Sequence, residues 1–354
     1  MKLNALSRSI SFLLLFSLGA CQVSGQLPTP TASAVPTKTG TPMPAVTEPI
    51  PTGTATAATS TPEVPVGQIA YTHMETISEG IGQRVAGTSR EDQTAQYIVM
   101  EFERMGYVSE LRPFKTVVKG KNISSANVIA VKPGDSSQEI IVGAHYDSVG
   151  VGKGADDNAS GVAVILEVAQ RLRKQQTPYT IRFVLFGAEE LGLQGSKYYV
   201  SQMTPEEIKD TVAIINLDSV TAGDMAYIYG DAGKKGIIRD WALSFAQEHH
   251  LALQTQPGEN PRYPAGTTGD WSDHAPFKNA GIPYTYLEST NWTLGDKDGY
   301  TQVSTEYGEN GELWHTQYDT LEYINKNFSG RIQERLNLFV TVLEAILTKF
   351  DLAK

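Results

Sequence analysis

Short apolar runs and longer helical patterns alternate along the chain beyond residue 66. Runs rich in β-branched and aromatic residues, typical of buried strands, occupy residues 125–134, 138–148, 179–190, 212–220 and 282–289. Apolar residues recur three and four positions apart at 68–107, 160–174, 196–202, 234–250 and 329–350. This alternation predicts a single α/β domain, with a mixed, mostly parallel central sheet flanked by helices on both faces.

Two of the predicted helices have a clear apolar face. The segment at 68–107 predicts two helices around an Arg84–Gly87 turn, and the second helix ends at Gly106. Its apolar positions are Ala95, Ile98, Val99, Phe102 and Met105. In the helix at 160–174 they are Val162, Ile165, Val168, Ala169 and Leu172. We expect these amphipathic helices to pack one face against the sheet.

The N-terminus has the pattern of an export signal. Lys2 and Arg8 accompany an apolar stretch at 11–18 that is too short to span a bilayer as a helix. The stretch leads into the tetrapeptide LGAC, which ends at Cys21 and resembles the bacterial lipobox, where the cysteine is lipidated and becomes the first residue. We predict a lipoprotein signal peptide at 1–20 and lipidation of Cys21. The alternative is an ordinary signal peptide with a chance cysteine.

Residues 21–66 differ in composition from the rest of the chain. They are dominated by Pro, Thr, Ala, Ser and Gly, with few charges and no aromatic residue. Such a segment cannot bury enough apolar surface to offset its chain entropy, and its prolines favour extended conformations. Its position after the lipobox predicts a disordered, semi-stiff tether between a lipid anchor and a folded domain at 67–354.

Charge and cysteine content narrow the choice of partners. The formal net charge of the 354 residues is −10, which argues against binding to nucleic acid or to anionic lipid surfaces. Cys21 is the single cysteine, so an internal disulfide is excluded. The predicted domain has no apolar run long enough for a membrane helix. We therefore expect a monomer outside the cytoplasm, attached to the cell envelope through its lipid.

Polar residues follow the predicted strands at the points where the strands end. They are His145 and Asp147, Asp156 and Asp157, Glu189 and Glu190, and Asp218, and His315 lies in a loop before the last helix. The carboxyl ends of parallel strands share one edge of the sheet, so we expect a single rim. Apart from Asp156, these are the imidazole and carboxylate ligands that Zn²⁺ accepts. The set is large enough for two metal ions that share a bridging carboxylate.

These segments resemble the motifs of the M28 family of zinc aminopeptidases. The motifs are GAHYDS (143–148), GKGADDNASG (152–161), FGAEELGLQGS (186–196), NLDSV (216–220) and WHTQYDT (314–320), and they occur in the family's order. Each motif is short, but five in order at strand ends are specific. The resemblance covers essentially the whole chain from about residue 66.

The resemblance implies a ligand set for two zinc ions. His145 and Asp218 would bind one ion, Glu190 and His315 would bind the other, and Asp157 would bridge them. In the family a cis peptide bond follows the bridging aspartate, which here is the bond between Asp157 and Asn158.

The resemblance also implies two residues that act without binding metal. Glu189 would be the general base that takes a proton from the zinc-activated water. Asp147 would accept a hydrogen bond from the ring of His145 and fix its orientation. Both roles are expectations from the family pattern.

The roles of three positions have alternative interpretations. Asp156 could simply hold the turn, so it is left out of the metal set. His274 could be mistaken for a ligand, but TGDWSDHAPFKNAGIP (268–283) resembles a supporting segment of the family, and His315 is preferred. Several family members have a tyrosine that polarises the carbonyl of the substrate at the position of Trp314. The possible substitutes in this chain are Tyr263, Tyr284, Tyr286 and Tyr300.

The predicted function is a metal-dependent aminopeptidase, a hydrolase that removes N-terminal residues from peptides with a free N-terminus. Carboxylates beside the metal ions could hold the cationic α-ammonium group. A glutaminyl-cyclase-like zinc acyltransferase, with one zinc ion, and a non-catalytic binding module on the same fold are the alternatives. The complete set of ligands and base favours the hydrolase.

Overall fold

The computed structural model describes residues 64–353 of the chain. The predicted signal peptide, Cys21 and nearly all of the predicted tether lie outside the described residues. Among the described residues, no helix is both long enough and apolar enough to cross a membrane.

Helices and strands alternate through most of this range. The α-helices are α1 (Gln68–Glu75), α2 (Ser89–Met105), α3 (Gly161–Leu172), α4 (Gln194–Ser201), α5 (Pro205–Asp210), α6 (Ile237–Glu248), α7 (His274–Asn279), α8 (Leu321–Asn327) and α9 (Arg331–Lys349). The strands are β1 (Ser109–Val118), β2 (Lys121–Lys132), β3 (Ser136–His145), β4 (Tyr179–Phe186), β5 (Thr211–Leu217), β6 (Met225–Gly230), β7 (Leu253–Gln254) and β8 (Tyr284–Thr290). Helical turns at 76–81, 155–160 and 233–236 connect some of them.

One eight-stranded sheet organises the domain, in the order β1-β2-β4-β3-β5-β8-β6-β7. The central strands β4, β3, β5 and β8 run parallel. Antiparallel pairs join β1 to β2, β2 to β4 and β6 to β8, and the last strand, β7, pairs parallel with β6. The predicted mixed sheet, flanked by helices on both faces, is confirmed. Since β4, β3 and β5 are adjacent and parallel, their carboxyl ends lie side by side.

The apolar core covers both faces of the sheet because side chains alternate along each strand. Ile140 and Val142 of β3 contact one core, together with residues of α3 and α9. Ile141 points to the other face and packs with Phe277 of α7 and Tyr199 of α4. The central strands are therefore buried on both faces, which explains their unbroken apolar runs.

Helix α3 differs from the predicted amphipathic helix, because every residue from Gly161 to Ala169 is buried. The sheet covers one side, and α1 and α9 cover the other. Even Glu167 is inside, where its carboxylate accepts the N–H groups of Gly67 and Ala70 at 2.9 and 2.7 Å. The N–H donors at the start of α1 thus satisfy the Glu167 carboxylate, which makes this polar side chain stable in the core.

Strands β1 and β7, at the two edges of the sheet, and β6, next to β7, were not predicted. β1 exposes much of its length and contains charged residues and Pro113, so it lacks the apolar run of a central strand. β7 has only two residues, Leu253 and Gln254. Pairing with a neighbouring strand, rather than the local pattern, makes these segments strands.

Candidate active site

The predicted site residues meet at the carboxyl edge of the sheet. His145 is the last residue of β3, Asp218 follows β5 directly, and Glu189 and Glu190 follow the end of β4. Because these three strands are neighbours, residues more than 70 positions apart in the sequence lie together at this edge. The predicted single rim is present.

Asp157 enters the site from the turn between β3 and α3. The peptide bond between Asp157 and Asn158 is cis, as the family resemblance implies. The side chain of Asn158 accepts the N–H of Gly161 at 3.0 Å and donates to the carbonyl of Leu217 at 2.8 Å. These bonds tie the turn both to the start of α3 and to the end of β5.

His145 and His315 approach opposite oxygens of one carboxylate. Nε2 of His145 lies 3.1 Å from Oδ1 of Asp157 and 3.3 Å from Oδ1 of Asp218. Nε2 of His315 lies 3.2 Å from Oδ2 of Asp157 and 2.9 Å from Oε2 of Glu190. Asp157 is therefore central, with one histidine and one further carboxylate on each side.

This arrangement fits zinc. Ligand atoms of His145, Asp157 and Glu190 all lie within 4.8 Å of one another. With zinc–ligand bonds of about 2.0–2.1 Å, two ligands of one tetrahedral ion are roughly 3.3 Å apart, close to the distances above. The second oxygen of Glu190 is buried and has no hydrogen-bond partner within residues 64–353, which leaves it available to bind a metal ion.

Opposite charges and burial shift the pKa values of these groups. Hydrogen bonds to Asp157 and Glu190 raise the pKa of His315 to about 11. Burial alone would raise the pKa of Asp157, but the bonds from His145 and His315 outweigh it and lower that pKa. Burial and the neighbouring Asp157 raise the pKa of Glu190 to about 7. Burial also raises the pKa of Glu189 well above its usual range. The site is thus short of positive charge, which a metal ion would supply.

Asp147 holds the backbone of the two glutamates. Its carboxylate accepts the N–H of Glu189 at 3.0 Å and the N–H of Glu190 at 3.3 Å. The resemblance implied a hydrogen bond from the ring of His145 to this carboxylate. Nδ1 of His145 instead lies 3.2 Å from the backbone oxygen of Asp147 and 3.6 Å from its carboxylate.

Glu91 of α2 supports the same turn and was not predicted. Its carboxylate accepts the N–H groups of Ala188 at 3.2 Å and Gly87 at 2.5 Å, and the hydroxyl of Ser125 at 2.6 Å. Glu91 and Asp147 together bind three consecutive backbone N–H groups, from Ala188 to Glu190. The helical pattern of α2 contains no signal for this contact, because the partner comes from another part of the chain.

Asp156 has a structural place beside Asp157. Its fully buried carboxylate accepts the backbone N–H groups of Thr221 at 2.7 Å and Ala222 at 2.9 Å. Gln302 donates to its other oxygen at 2.8 Å, and the amide oxygen of Gln302 accepts the N–H of Trp314 at 3.0 Å. Asp156 therefore connects the turn to the loop that presents His315.

Asp319 and Arg84 fix the turn from outside, and neither role was predicted. Asp319 accepts the N–H groups of Asp156 and Asp157 at 2.6 and 3.2 Å. It is the single acid of the WHTQYDT motif, and that was the available signal. Arg84 is completely buried and donates to four backbone carbonyls, at 146, 82, 153 and 154, over 2.7–3.0 Å.

The segment at 268–283 supports the site, as the family pattern implies. Ser272 donates to Asp218 at 2.7 Å and accepts the side-chain N–H of Asn216 at 2.8 Å. His274 is buried, its Nε2 lies 2.9 Å from the carbonyl of Gly269, and its ring stacks on Tyr286. Burial lowers the pKa of His274 to about 4. His274 packs in the core, whereas His315 contacts the carboxylates.

A cavity of about 410 Å³ opens onto these residues. Tyr300 lines it, whereas Tyr263 and Tyr284 line a neighbouring cavity, and Tyr286 is buried. Trp314 also lines the cavity, and its indole N–H has no hydrogen-bond partner. Tyr300 is therefore the substitute that the structure brings to the site.

The fold of this chain resembles two kinds of known enzyme. The fold resembles that of a zinc aminopeptidase from Bacillus subtilis, BSAP, with a TM-score of 0.65, 20% identity, and coverage of 81% of this chain and 97% of that one. It also resembles Porphyromonas gingivalis glutaminyl cyclase, with a TM-score of 0.59, 23% identity, and coverage of 79% and 97%.

The relatives found by sequence have higher identity to this chain than these two structures. The "Alkaline phosphatase isozyme conversion protein" of Escherichia coli strain K12 is 36% identical over 299 residues, which are 76% of this chain and 86% of that protein. "Aminopeptidase YwaD" of Bacillus subtilis strain 168 is 34% identical over 64% of this chain and 46% of its own length. "Probable lipoprotein aminopeptidase LpqL" of Mycobacterium tuberculosis is 28% identical over 61% of this chain and 45% of its own length. The chain thus spans less than half of the latter two.

Residues 127–340 match Peptidase family M28. The chain belongs to this family. The match confirms the predicted family and the enzyme class of peptidase, and proteins named aminopeptidases are among the relatives.

Proposed function

We propose that this protein is a dizinc aminopeptidase that removes the first residue of peptides with a free N-terminus. The observation that carries the proposal is the carboxylate of Asp157 between two histidines, each beside a further carboxylate. One metal ion would be held by His145, Asp218 and Asp157, and the other by Asp157, Glu190 and His315.

Bound zinc would lower the pKa of a water molecule and place positive charge beside the oxygen of the scissile carbonyl. Glu189 lines the same cavity, and its pKa is raised by burial, so its carboxylate accepts a proton readily. It takes the proton of the attacking water and delivers it to the leaving amine. Asp147 acts as a positioning residue, because it fixes the backbone on which Glu189 stands.

An activity screen with zinc tests the proposal. Purified protein is assayed with aminoacyl nitroanilides and with the same compounds acetylated at the N-terminus. We expect hydrolysis of the free compounds alone, about two zinc ions per chain by elemental analysis, and loss of activity with a chelator. Hydrolysis of acetylated compounds at equal rates would contradict an exopeptidase.

A glutaminyl-cyclase-like acyltransferase is the second candidate, because the fold also resembles a glutaminyl cyclase. A cyclase of this kind should bind one zinc ion per chain and cyclise peptides that begin with glutamine. Two full sets of ligands favour the peptidase. Cyclisation without hydrolysis would favour the cyclase, and failure to bind zinc at all would favour the binding module.

We also propose that the protein acts as a monomer outside the cytoplasm, on a lipid anchor at Cys21 and a tether at 21–66. The lipobox-like LGAC sequence supports this location, and one relative is named a lipoprotein aminopeptidase. We expect incorporation of labelled palmitate by the full chain and recovery in the membrane fraction, and loss of both in Cys21→Ala. A Cys21→Ala protein that still takes up the label would refute the anchor.

A further inference from the structure

A separate cavity lies at the opposite edge of the sheet from the candidate zinc site. Its volume is about 640 Å³, and Lys132, the last residue of β2, lines it. Across the strand pair Lys132 faces Ile181, near the start of β4. The candidate zinc site follows the other end of β4, a strand of eight residues that rises about 3.3 Å per residue. A ligand in this cavity would therefore leave the zinc site open.

Basic side chains outnumber acidic ones around this cavity, which we name the basic cavity. Its charged lining residues are Lys132, Arg173, Lys174, Arg182 and Glu110. Two of these charges are neutralised by residues outside the lining, because Arg112 pairs with Glu110 at 2.9 Å and Glu139 pairs with Arg182 at 2.6 Å. The other three basic residues leave the cavity with a surplus of positive charge.

Lys132 is the buried member of these three. It is only 7% exposed, and its ammonium group donates to the hydroxyl of Thr177 at 3.2 Å and to the carbonyl of Pro133 at 3.4 Å. Both acceptors are neutral, and within residues 64–353 Lys132 forms no ion pair. Burial lowers the pKa of Lys132, although Asp135 nearby partly offsets the effect. A buried cation without a counter-ion costs free energy, so an anion in the cavity would stabilise it.

Arg173 and Lys174 form the exposed rim of the basic cavity. Neither has an ion pair or a hydrogen bond among the described residues. Glu344 of α9 reaches this segment, but its carboxylate accepts the side-chain N–H of Gln175 at 2.7 Å instead. The chain has 39 acidic and 29 basic residues, so a shortage of acids does not explain the unpaired cations. The negative end of α3 favours two cations here, but it does not account for the buried Lys132.

Apolar side chains form another part of the lining. They include Tyr107, Val108, Ile129 and Val131. The hydroxyl of Tyr107 donates to the carbonyl of Ala169 at 2.7 Å, which fixes the ring in place. An apolar surface beside a few converging polar groups is typical of a site for a small organic ligand rather than for a bare ion.

We propose that the basic cavity binds a phosphate ester. The phosphate group lies among Lys132, Arg173 and Lys174, and its charge of about −2 balances more of their positive charge than a carboxylate would. Arginine binds phosphate through two parallel N–H···O bonds, and lysine binds it as a point charge. The carbon part of the ester packs on Ile129 and Val131. This inference does not depend on the proposed aminopeptidase function.

Calorimetry with defined esters tests the site. The zinc-loaded full chain is titrated with glycerol 3-phosphate, with glycerophosphoglycerol, which is the headgroup of an anionic phospholipid, and with acetate at equal ionic strength. We expect at least one ester to bind about tenfold or more tightly than acetate, because phosphate offers more acceptor oxygens. Preference for the glycerol 3-phosphate monoester would indicate a soluble ligand, and preference for the diester a lipid headgroup. Equal binding of acetate, or no binding of either ester, would overturn the inference.

A double variant, Arg173→Gln with Lys174→Gln, locates the binding. Both residues are exposed, so the fold should be unaffected, and the affinity for the preferred ester should fall at least about tenfold. Lys234→Gln with Lys235→Gln is the matched control, because these adjacent exposed lysines do not line the cavity. An unchanged affinity in the first pair would place the ester elsewhere, the zinc ions included, and an equal fall in the control pair would show a general charge effect. Either result would overturn the assignment.

Lys132→Met tests the buried charge with a side chain of similar length. Glycerol 3-phosphate at a saturating concentration should raise the melting temperature of the unsubstituted chain, because a ligand of the folded state stabilises it. It should raise that of Lys132→Met much less. Nitroanilide hydrolysis should be the same in both proteins, since the cavity lies at the opposite edge of the sheet from the zinc site. Equal stabilisation of Lys132→Met by the ester would contradict the role of Lys132.

Discussion

At the residue scale, Glu189 and Glu190 show how adjacent carboxylates acquire different surroundings. Oε2 of Glu190 contacts His315 at 2.9 Å, whereas the side chain of Glu189 lines the cavity without a cationic hydrogen-bond partner. Burial, with Asp273 and Glu190 nearby, raises the pKa of Glu189. These different surroundings support the proposed roles, in which Glu190 binds a metal ion and Glu189 carries a proton.

Replacing Glu189 with glutamine tests this division. We expect kcat to fall by about 10²- to 10⁴-fold, because an amide cannot accept the proton. Zinc content should be unchanged, since Glu189 is outside the proposed ligand set, and the melting temperature should not fall, because burial disfavours the charged form. Glu206→Gln, which alters an exposed acid, is the control. Near-normal turnover in Glu189→Gln would exclude it as the base.

At the element scale, the turn between β3 and α3 is held by contacts from distant segments. Arg84 binds the carbonyls before it, Asp319 binds its N–H groups, and Asp156 connects it to Gln302. None of these contacts involves the proposed metal ions. The protein thus supports the position of Asp157, the proposed bridging residue, by its own hydrogen bonds, as preorganised sites require.

Arg84→Met tests this support. The change leaves four carbonyls without their donor, two in buried and two in partly buried hydrogen bonds. The free energy of unfolding should therefore decrease by about 3 kcal/mol or more, as measured by urea denaturation. Arg104→Met is the matched control, because Arg104 forms an exposed pair with Glu101, and such pairs contribute about 0–1 kcal/mol. Equal, small losses in both variants would show that the buried bonds of Arg84 do not stabilise the turn.

At the scale of the whole molecule, the domain concentrates negative charge at one edge of its sheet. The formal net charge of the chain is −10, and several of its acids are buried at the strand ends with raised pKa values. Raised values mean that the protein alone does not fully accommodate these charges. Metal binding and proton release should therefore be coupled.

Zinc affinity should increase with pH. The pKa of His315 is raised to about 11 and that of Glu190 to about 7. In the metal-free protein His315 is therefore protonated at neutral pH, and zinc, which binds neutral imidazole, must displace that proton. Calorimetry in buffers of different ionisation enthalpy should show net proton release at pH 7, and tighter binding at pH 8 than at pH 6.

The control for this prediction is His249→Ala, which removes a histidine at the end of α6, away from the candidate site. It should leave the proton release unchanged. Binding of zinc without proton release would contradict the charge state inferred for His315.

The sequence by itself determined the fold class and the sites of most candidate ligands. Central strands buried on both faces require unbroken apolar runs, and parallel neighbours place their carboxyl ends together, so the positions of His145, Glu190 and Asp218 followed from the pattern. The assignment of His315 over His274 depended on the family motifs, because a loop has no periodicity to locate it.

Only the tertiary structure decided which groups support those ligands and what lines the cavity. Glu91, Gln302 and Asp319 act through contacts with residues about 100 or more positions away, and local periodicity contains no information about such partners. Residues close in sequence determine the helices and strands, whereas residues close in space determine the chemistry of the site.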